Sequence, residues 1–247
     1  MIVPGPAAQR FVTELDQLPP PELRGPEMLA VRLARAAVAA LPVDGAGLSI
    51  HDMDGHRTPI GASDPTASRA ERLQFTHGDG PALRAHDDGV AIAFDEAAIA
   101  RNWPELHESL IGKTDFHAVL SVPLLPPLGP LVVLDLYVRD ADALPATDRE
   151  DVADVTIAMT RAMVAAALGA PVQEGRRGWW DGPDALRRAR VWQATGMVNV
   201  GFDLDTADAL AVLKAHAFAT GRVVDDVADD LVAGRMGLDE LHVPRRD

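Results

Sequence analysis

An α+β unit followed by a bundle of three helices is the architecture that the sequence predicts, and three observations predict it. Between residues 45 and 138 the apolar residues sit in short extended runs separated by Asp, Gly and Pro, whereas at 27–41 and 148–168 they recur at helical spacing. Beyond residue 184, three successive runs of helical period carry start and stop signals of their own. The length of 247 residues, with 47% hydrophobic content, suffices for two modest cores. Helix, antiparallel strands and helix in that order predict a sheet with helices on one face. The expected partition is a lead-in at 1–22, a sheet domain at 23–168, a linker at 169–183 and a helical domain at 184–247.

The prolines at 4, 6, 19, 20, 21 and 26 restrict the lead-in to a short helix at about 7–18. In 27–41, Met28, Leu29, Val31, Leu33, Ala36, Ala37 and Ala40 mark a packed helix. Strands are expected at 45–51 and 58–63, joined as a hairpin through Asp52-Met53-Asp54-Gly55. A short strand at 90–94 leads into an irregular segment through Trp103. A second hairpin pairs 118–124 with 131–138 around Leu125-Pro126-Pro127-Leu128-Gly129-Pro130. Within it Asp135 alternates to one face, where it either pairs with a buried donor or faces solvent at an edge. In 148–168, Val152, Val155, Met159, Ala162 and Ala166 form a stripe that suits a dimer seam and an ordinary helix packed on the sheet about equally. The Gly- and Pro-containing joint at 170–183 holds Trp179 and Trp180, which could stack on unpaired bases but more often dock a linker.

In the C-terminal region Asp184 is the expected cap of a helix through Leu186, Ala189, Val191 or Trp192, Ala194 and Met197. The segment 203–205 breaks it. Asp205 then caps a second helix with Asp208 in its first turn and Leu210, Leu213 and Ala217 buried, and Gly221 stops it. Val224, Val227, Ala228, Leu231 and Val232 give a third helix its apolar stripe, with Asp225, Asp226, Asp229 and Asp230 outside. Gly196 costs its helix about 1 kcal/mol relative to alanine, so a close approach of another helix or of RNA is expected there.

The composition excludes much. The absence of cysteine removes disulfides, thiolate metal sites and redox thiols together. A net charge of −14 argues against sequence-blind nucleic-acid binding. That acidity is uneven: residues 1–183 carry 15 basic against 26 acidic side chains, and 184–247 carry 8 against 11. Arg176, Arg177, Arg187, Arg188 and Arg190, set against Asp181 and Asp184, form the one basic stripe. The N-terminus lacks the pattern of a signal peptide, and 119–137, the most apolar stretch, is interrupted by four prolines and Asp135, so a cytoplasmic protein with no membrane partner is expected. His51, His56, His77, His86, His107 and His117 show no ligand spacing, so neither metal nor cofactor is expected, and a haem- or metal-dependent sensor enzyme is the least favoured class. Gly78-Asp79-Gly80-Pro81 lacks the Gly-Lys-Ser/Thr ending of a phosphate loop and reads as a turn over a pocket. No nucleophile, base and orienter stand together, so catalytic residues are not expected. Lysine occurs only at positions 113 and 214, which with abundant Ala and Asp suggests a GC-rich bacterial genome.

Two family resemblances give these elements a functional expectation. Leu73-Gln74-Phe75-Thr76-His77-Gly78-Asp79-Gly80-Pro81, then Gly89-Val90-Ala91-Ile92, Trp103-Pro104, Ser121-Val122-Pro123-Leu124 and Leu134-Asp135-Leu136-Tyr137 are similar to GAF domains found upstream of ANTAR domains. Ala82 stands where family members commonly carry a cysteine. Gln193-Ala194-Thr195-Gly196-Met197, Ala209-Leu210 with Leu213, Ala217-Phe218, and Val227-Ala228 with Leu231-Val232 resemble the ANTAR antiterminator domain. The resemblance implies a homodimeric regulator in which a GAF unit binds a small-molecule or protein effector and controls an ANTAR unit that binds paired hairpins in nascent mRNA. It implies His51, His77 and His117 as neighbours of the effector pocket. Arg187, Arg190, Gln193, Gly196, Lys214 and Arg222 are the RNA-contact candidates, as donors or as a point of close approach. The competing expectation is that these arginines pair with nearby aspartates such as Asp184 or Asp208, in a protein-interaction or ligand-sensing module that does not bind RNA.

Overall fold

The computed structural model describes residues 5–51, 57–142, 149–169, 178 and 182–242. The Asp52–Gly55 turn, Arg176, Arg177, Trp179 and Trp180 lie outside the described residues. Five strands, β1 (Gly45–His51), β2 (Arg57–Ala62), β3 (Ile92–Phe94), β4 (Ala118–Pro123) and β5 (Val132–Val138), form one antiparallel sheet in the order β2-β1-β5-β4-β3. Both expected hairpin pairs are present, and β1 joins them by pairing with β5, so that Gly47 stands opposite Asp135.

Helices cover both faces of this sheet rather than the one expected. On one face α1 (Pro6–Asp16), α2 (Leu29–Ala40) and α7 (Arg149–Gly169) pack on Ala46, Leu48, Leu134 and Leu136. Phe11 of α1 is fully enclosed there. Val152, Val155 and Met159 of the expected α7 stripe are buried in this core together with Met163, while Ala162 and Ala166 pack against it half-buried. By length and composition alone α7 could cross a bilayer, but that stripe is committed to the core.

The second face arises because residues 64–113 hold four helices, none of which the hydrophobic pattern indicated: it gave only a turn at 78–81, a strand at 90–94 and an irregular segment through Trp103. These are α3 (Pro65–His77), α4 (Pro81–Asp88), α5 (Glu96–Asn102) and α6 (Pro104–Lys113). Each starts where sequence rules place a start: Pro65, Pro81 and Pro104 occupy first positions, and Asp64 and Asp95 accept hydrogen bonds from the free N–H groups of the following turn. Ala67, Ala70 and Leu73 of α3, Ile99 of α5 and Leu106 and Leu110 of α6, with Phe116, Val119 and Tyr137, make a second core.

The C-terminal residues form α8 (Pro183–Phe202), α9 (Thr206–Ala219) and α10 (Val224–Val232), which pack pairwise around Val191, Ala194, Val198, Leu213, Ala217, Val227 and Leu231. Gly182, not Asp184, precedes the first turn of α8, and Asp184 is a buried residue inside it. The buried face of α8 is rotated from the expected one: Arg188, Val191, Ala194, Thr195 and Val198 point inward, while Leu186 (49%) and Met197 (37%) are exposed. Asp205 caps α9 as expected, accepting from the Asp208 N–H at 2.8 Å, and Gly221 follows α9 with φ of 65°. α8 also packs across the edge strand β2.

Candidate functional site

The site is built around α3, whose two faces serve two different cores. Glu71 and Gln74, three residues apart, point at the sheet, while Ser68, Arg72, Phe75 and Thr76, at spacings of four, three and one, point at the C-terminal helices. Its end is fixed by Gly78, whose φ of 77° lets the N–H turn back onto the Gln74 and Phe75 carbonyls.

On the sheet side lies a buried polar network. Asp135 Oδ2 accepts from Gln74 Nε2 at 2.9 Å and from Arg57 Nη2 at 3.2 Å, and Asp135 Oδ1 accepts from Ser121 Oγ at 2.5 Å. Arg57 also donates from Nη1 to the Glu71 carbonyl at 2.8 Å and from Nη2 to the Glu71 carboxyl group. The Tyr137 hydroxyl donates to Glu71 Oε1 at 2.7 Å. Gly47 makes room for this, because a Cβ there would overlap the Glu71 carboxyl group. Two carboxyl groups thus share one guanidinium out of contact with water, and like charges in such a place cannot both ionise cheaply. Burial, aided by Asp135, pushes Glu71 up to about 8 despite the opposing pull of Arg57. With Glu71 protonated, Arg57 and Asp135 leave the network neutral.

On the opposite face α3 completes the C-terminal helices. Val223, which precedes α10, offers no capping side chain, and Thr76 Oγ1 instead accepts the Val224 N–H at 3.1 Å. Ser68 Oγ donates to Asp184 at 3.0 Å, and Arg72 Nη1 donates to Asp226 at 3.2 Å. Phe75 enters the C-terminal core, where the Arg188 guanidinium carbon lies 3.2 Å and the Lys214 ammonium 4.6 Å from its ring centre. Arg188 is 2% exposed and pairs with Asp225 at 3.5 Å, and burial lowers it to about 10. Asp225, expected on the outer face of α10, is therefore inside at 4% exposure, because it answers the buried Arg188 charge.

A cavity of about 50 Å³ lies where these parts meet, lined by Arg57, Gln74, Gly78, Gly80, Leu210 and Lys214 among others. Such a volume holds on the order of four waters. None of the three expected pocket histidines lines it. His51 is fully buried, bonded to Ser49 Oγ at 3.2 Å and stacked on His86 at 4.4 Å; burial, then Arg57 and His86, lower it to about 2. His77 bonds Ser109 Oγ at 3.0 Å and meets the edge of Phe218, and burial lowers its pKa. His117 and His107 both bond Glu96, at 2.7 and 3.1 Å. Among the described residues no three His, Asp or Glu side chains gather where a metal ion could be held.

The RNA-contact candidates divide into three groups. Arg187, Arg190 and Arg222 line one polar groove of about 460 Å³ with Arg235 and with Asp225, Asp226, Asp229 and Asp230. There Arg187 pairs with Asp184 at 2.6 Å, Arg190 with Asp229 at 3.9 Å and Arg222 with Asp230 at 2.5 Å. Gln193 and Gly196 lie exposed on α8, and a Cβ on Gly196 would meet nothing within 4 Å. Lys214 faces the cavity instead.

Sequence reasoning found Asp135 but missed Arg57, Glu71, Gln74, Phe75 and Arg188. The available signal was Tyr137, the single tyrosine, two residues from an aspartate in an otherwise apolar strand. Fold and site together define an antiparallel α+β unit, clad by helices on both faces, that shares one helix with a second, all-helical unit. No protein-family model matches the chain, and no curated protein matches it. Among solved structures it is similar to the GAF domain from a phosphoenolpyruvate-protein phosphotransferase of Coxiella burnetii, with 18% identity over 67% of this chain and 95% of that one and a TM-score of 0.45.

Proposed function

We propose that this chain is a regulator of transcription termination in which a GAF-type unit senses an effector and an ANTAR-type unit captures hairpins in nascent mRNA. The observation that carries the sensing half is α3. One helix holds the buried Arg57–Glu71–Asp135 network with one face and the core and cap of the C-terminal helices with the other. A ligand that moves α3 must alter both. The RNA half rests on the sequence motifs of the C-terminal region and on a surface able to receive RNA: exposed Gln193 and Gly196 on α8, flanked by the groove of Arg187, Arg190 and Arg222. A hairpin phosphate would compete there with aspartates for each guanidinium, so the bound state exchanges internal ion pairs for phosphate contacts. A homodimer would place two such surfaces on paired hairpins and supply the affinity that one lacks.

A second reading, a protein-interaction module without RNA binding, is favoured by the same groove, since its four arginines face four aspartates and cancel in charge. The deciding experiment is binding of the full chain to a hairpin-pair RNA from its own operon leader across a range of salt, with Arg187→Ala/Arg190→Ala alongside. The RNA reading predicts saturable binding that the double substitution weakens by about tenfold or more, with a salt slope reflecting only about two to four phosphates. Binding no better than to a scrambled hairpin, with and without cell extract as a source of effector, would establish the interaction module.

A further inference from the structure

The cavity beside Gly78 holds a cation that has no acceptor among the described residues. Lys214 reaches in from α9 until its ammonium lies 3.1 Å from the point where a Cβ on Gly78 would stand. Among the described residues it makes no hydrogen bond and no ion pair; its one aromatic contact is Phe75, which it shares with a second cation, Arg188. Asp79, the one carboxylate in the lining, is exposed and turned onto the Gly80 N–H at 2.7 Å. Across the cavity Arg57 has a buried Nε with no partner. The walls therefore present donors in excess of acceptors.

We propose that this cavity is a binding site for a small carboxylate anion, completed only where the α+β unit and the C-terminal helices meet. An anion would supply the acceptor that the partly buried ammonium lacks, and it would also pair the buried Arg57 Nε, which otherwise goes unpaired at a cost larger than an ordinary hydrogen bond gains. The first turn of α4, reached through Gly80 and Leu83, adds the positive end of a helix dipole. The carbonyl end of α3 opposes an anion with a partial charge that the full charge of Lys214 outweighs, and Arg57, already paired with Glu71 and Asp135, adds a free Nε donor rather than net charge. Size sets the class: room for about four waters fits a carboxylate of roughly three to five heavy atoms and excludes a nucleotide. Because Lys214 and Leu210 belong to α9 while Gln74 and Gly78 belong to α3 and its cap, occupancy ties the two elements together. The inference stands whether or not the chain binds RNA.

The chain contains only two lysines, Lys113 and Lys214, so the full-length protein labelled with ¹³C at lysine Cε gives two resolvable NMR signals. Burial, then Arg188, lowers Lys214 to about 8, which separates its titration from that of an ordinary lysine. Acetate and formate are titrated against chloride at matched ionic strength, and Lys214→Arg assigns the signals. The expected result is a saturable, acetate- or formate-specific shift of the Lys214 signal with an upward move of its titration midpoint, and no change at Lys113. Calorimetry of Lys214→Gln, checked for a cooperative melt, should show affinity reduced by about tenfold or more, while Arg101→Gln, at an exposed position of α5 outside the cavity and the groove, binds as the parent does. A Lys214 signal that responds to chloride as it does to carboxylates, or undiminished binding by Lys214→Gln, would overturn the proposal.

Discussion

At the scale of single residues the buried ionisable groups give this protein an unusual dependence on pH. Glu71 is pushed up to about 8, so between its ordinary value and 8 the folded chain binds a proton that the unfolded chain has released, and stability falls as pH rises through that window. His51, held at about 2, acts with the opposite sign: the unfolded chain binds the extra proton below about 6.5, so stability falls as pH falls through that range. The two oppose one another at mildly acidic pH, where His77, lowered by burial, acts with His51; above that range Glu71 acts until Lys214, lowered to about 8, begins to oppose it. Denaturant unfolding should therefore show stability declining from about pH 6.5 to about 7.5, and Glu71→Gln, which keeps the Tyr137 hydrogen bond, should flatten that decline. An unchanged slope in the variant would place the titration elsewhere. Asp135 was legible as an acid in an apolar strand, whereas Glu71 was not, because its partners Arg57 and Tyr137 lie 14 and 66 residues away.

At the scale of elements, the strands and the C-terminal helices were readable and the second face of the sheet was not. α3 has plain punctuation, with Asp64-Pro65 before it and Gly78 after it, but three of its inward positions are Glu71, Gln74 and Thr76, so its apolar period is broken where its function lies. α8 was read correctly at Val191 and Ala194 and wrongly at its ends for a related reason: its inward row includes Asp184, Arg188 and Thr195, which a hydrophobicity pattern assigns to solvent. The cap that α3 lends to α10 is testable. Thr76→Val keeps shape and removes the acceptor, and should cost about 1 kcal/mol, read as a lower denaturation midpoint with faster hydrogen exchange in the first turn of α10. Gly196 is testable in the other direction. Open space around it means that Gly196→Ala should stabilise α8 by up to about 1 kcal/mol, and a simultaneous loss of hairpin affinity would place RNA against that face; affinity unchanged would remove it from the interface.

At the scale of the whole molecule the sequence suggested two bodies in series, and the structure joins them through α3. Phe75 of the α+β unit sits in the C-terminal core, and Val223 of the C-terminal region sits in the core beneath the sheet. Such exchanges are invisible to local pattern, because each residue looks like a member of its own segment. Phe75→Ala should consequently damage both units, costing about 3–5 kcal/mol and leaving Arg188 without its ring, and the melt should remain a single transition at lower temperature. The most direct test of this coupling perturbs the sheet-facing side of α3 alone. Gln74→Ala removes side-chain bonds to Asp135, to Tyr137 and to the Ala82 N–H, none of which reaches α10. Hydrogen exchange of the full chain should then quicken in the first turn of α10 as well as in α3; exchange that changes only in the α+β unit would contradict the account.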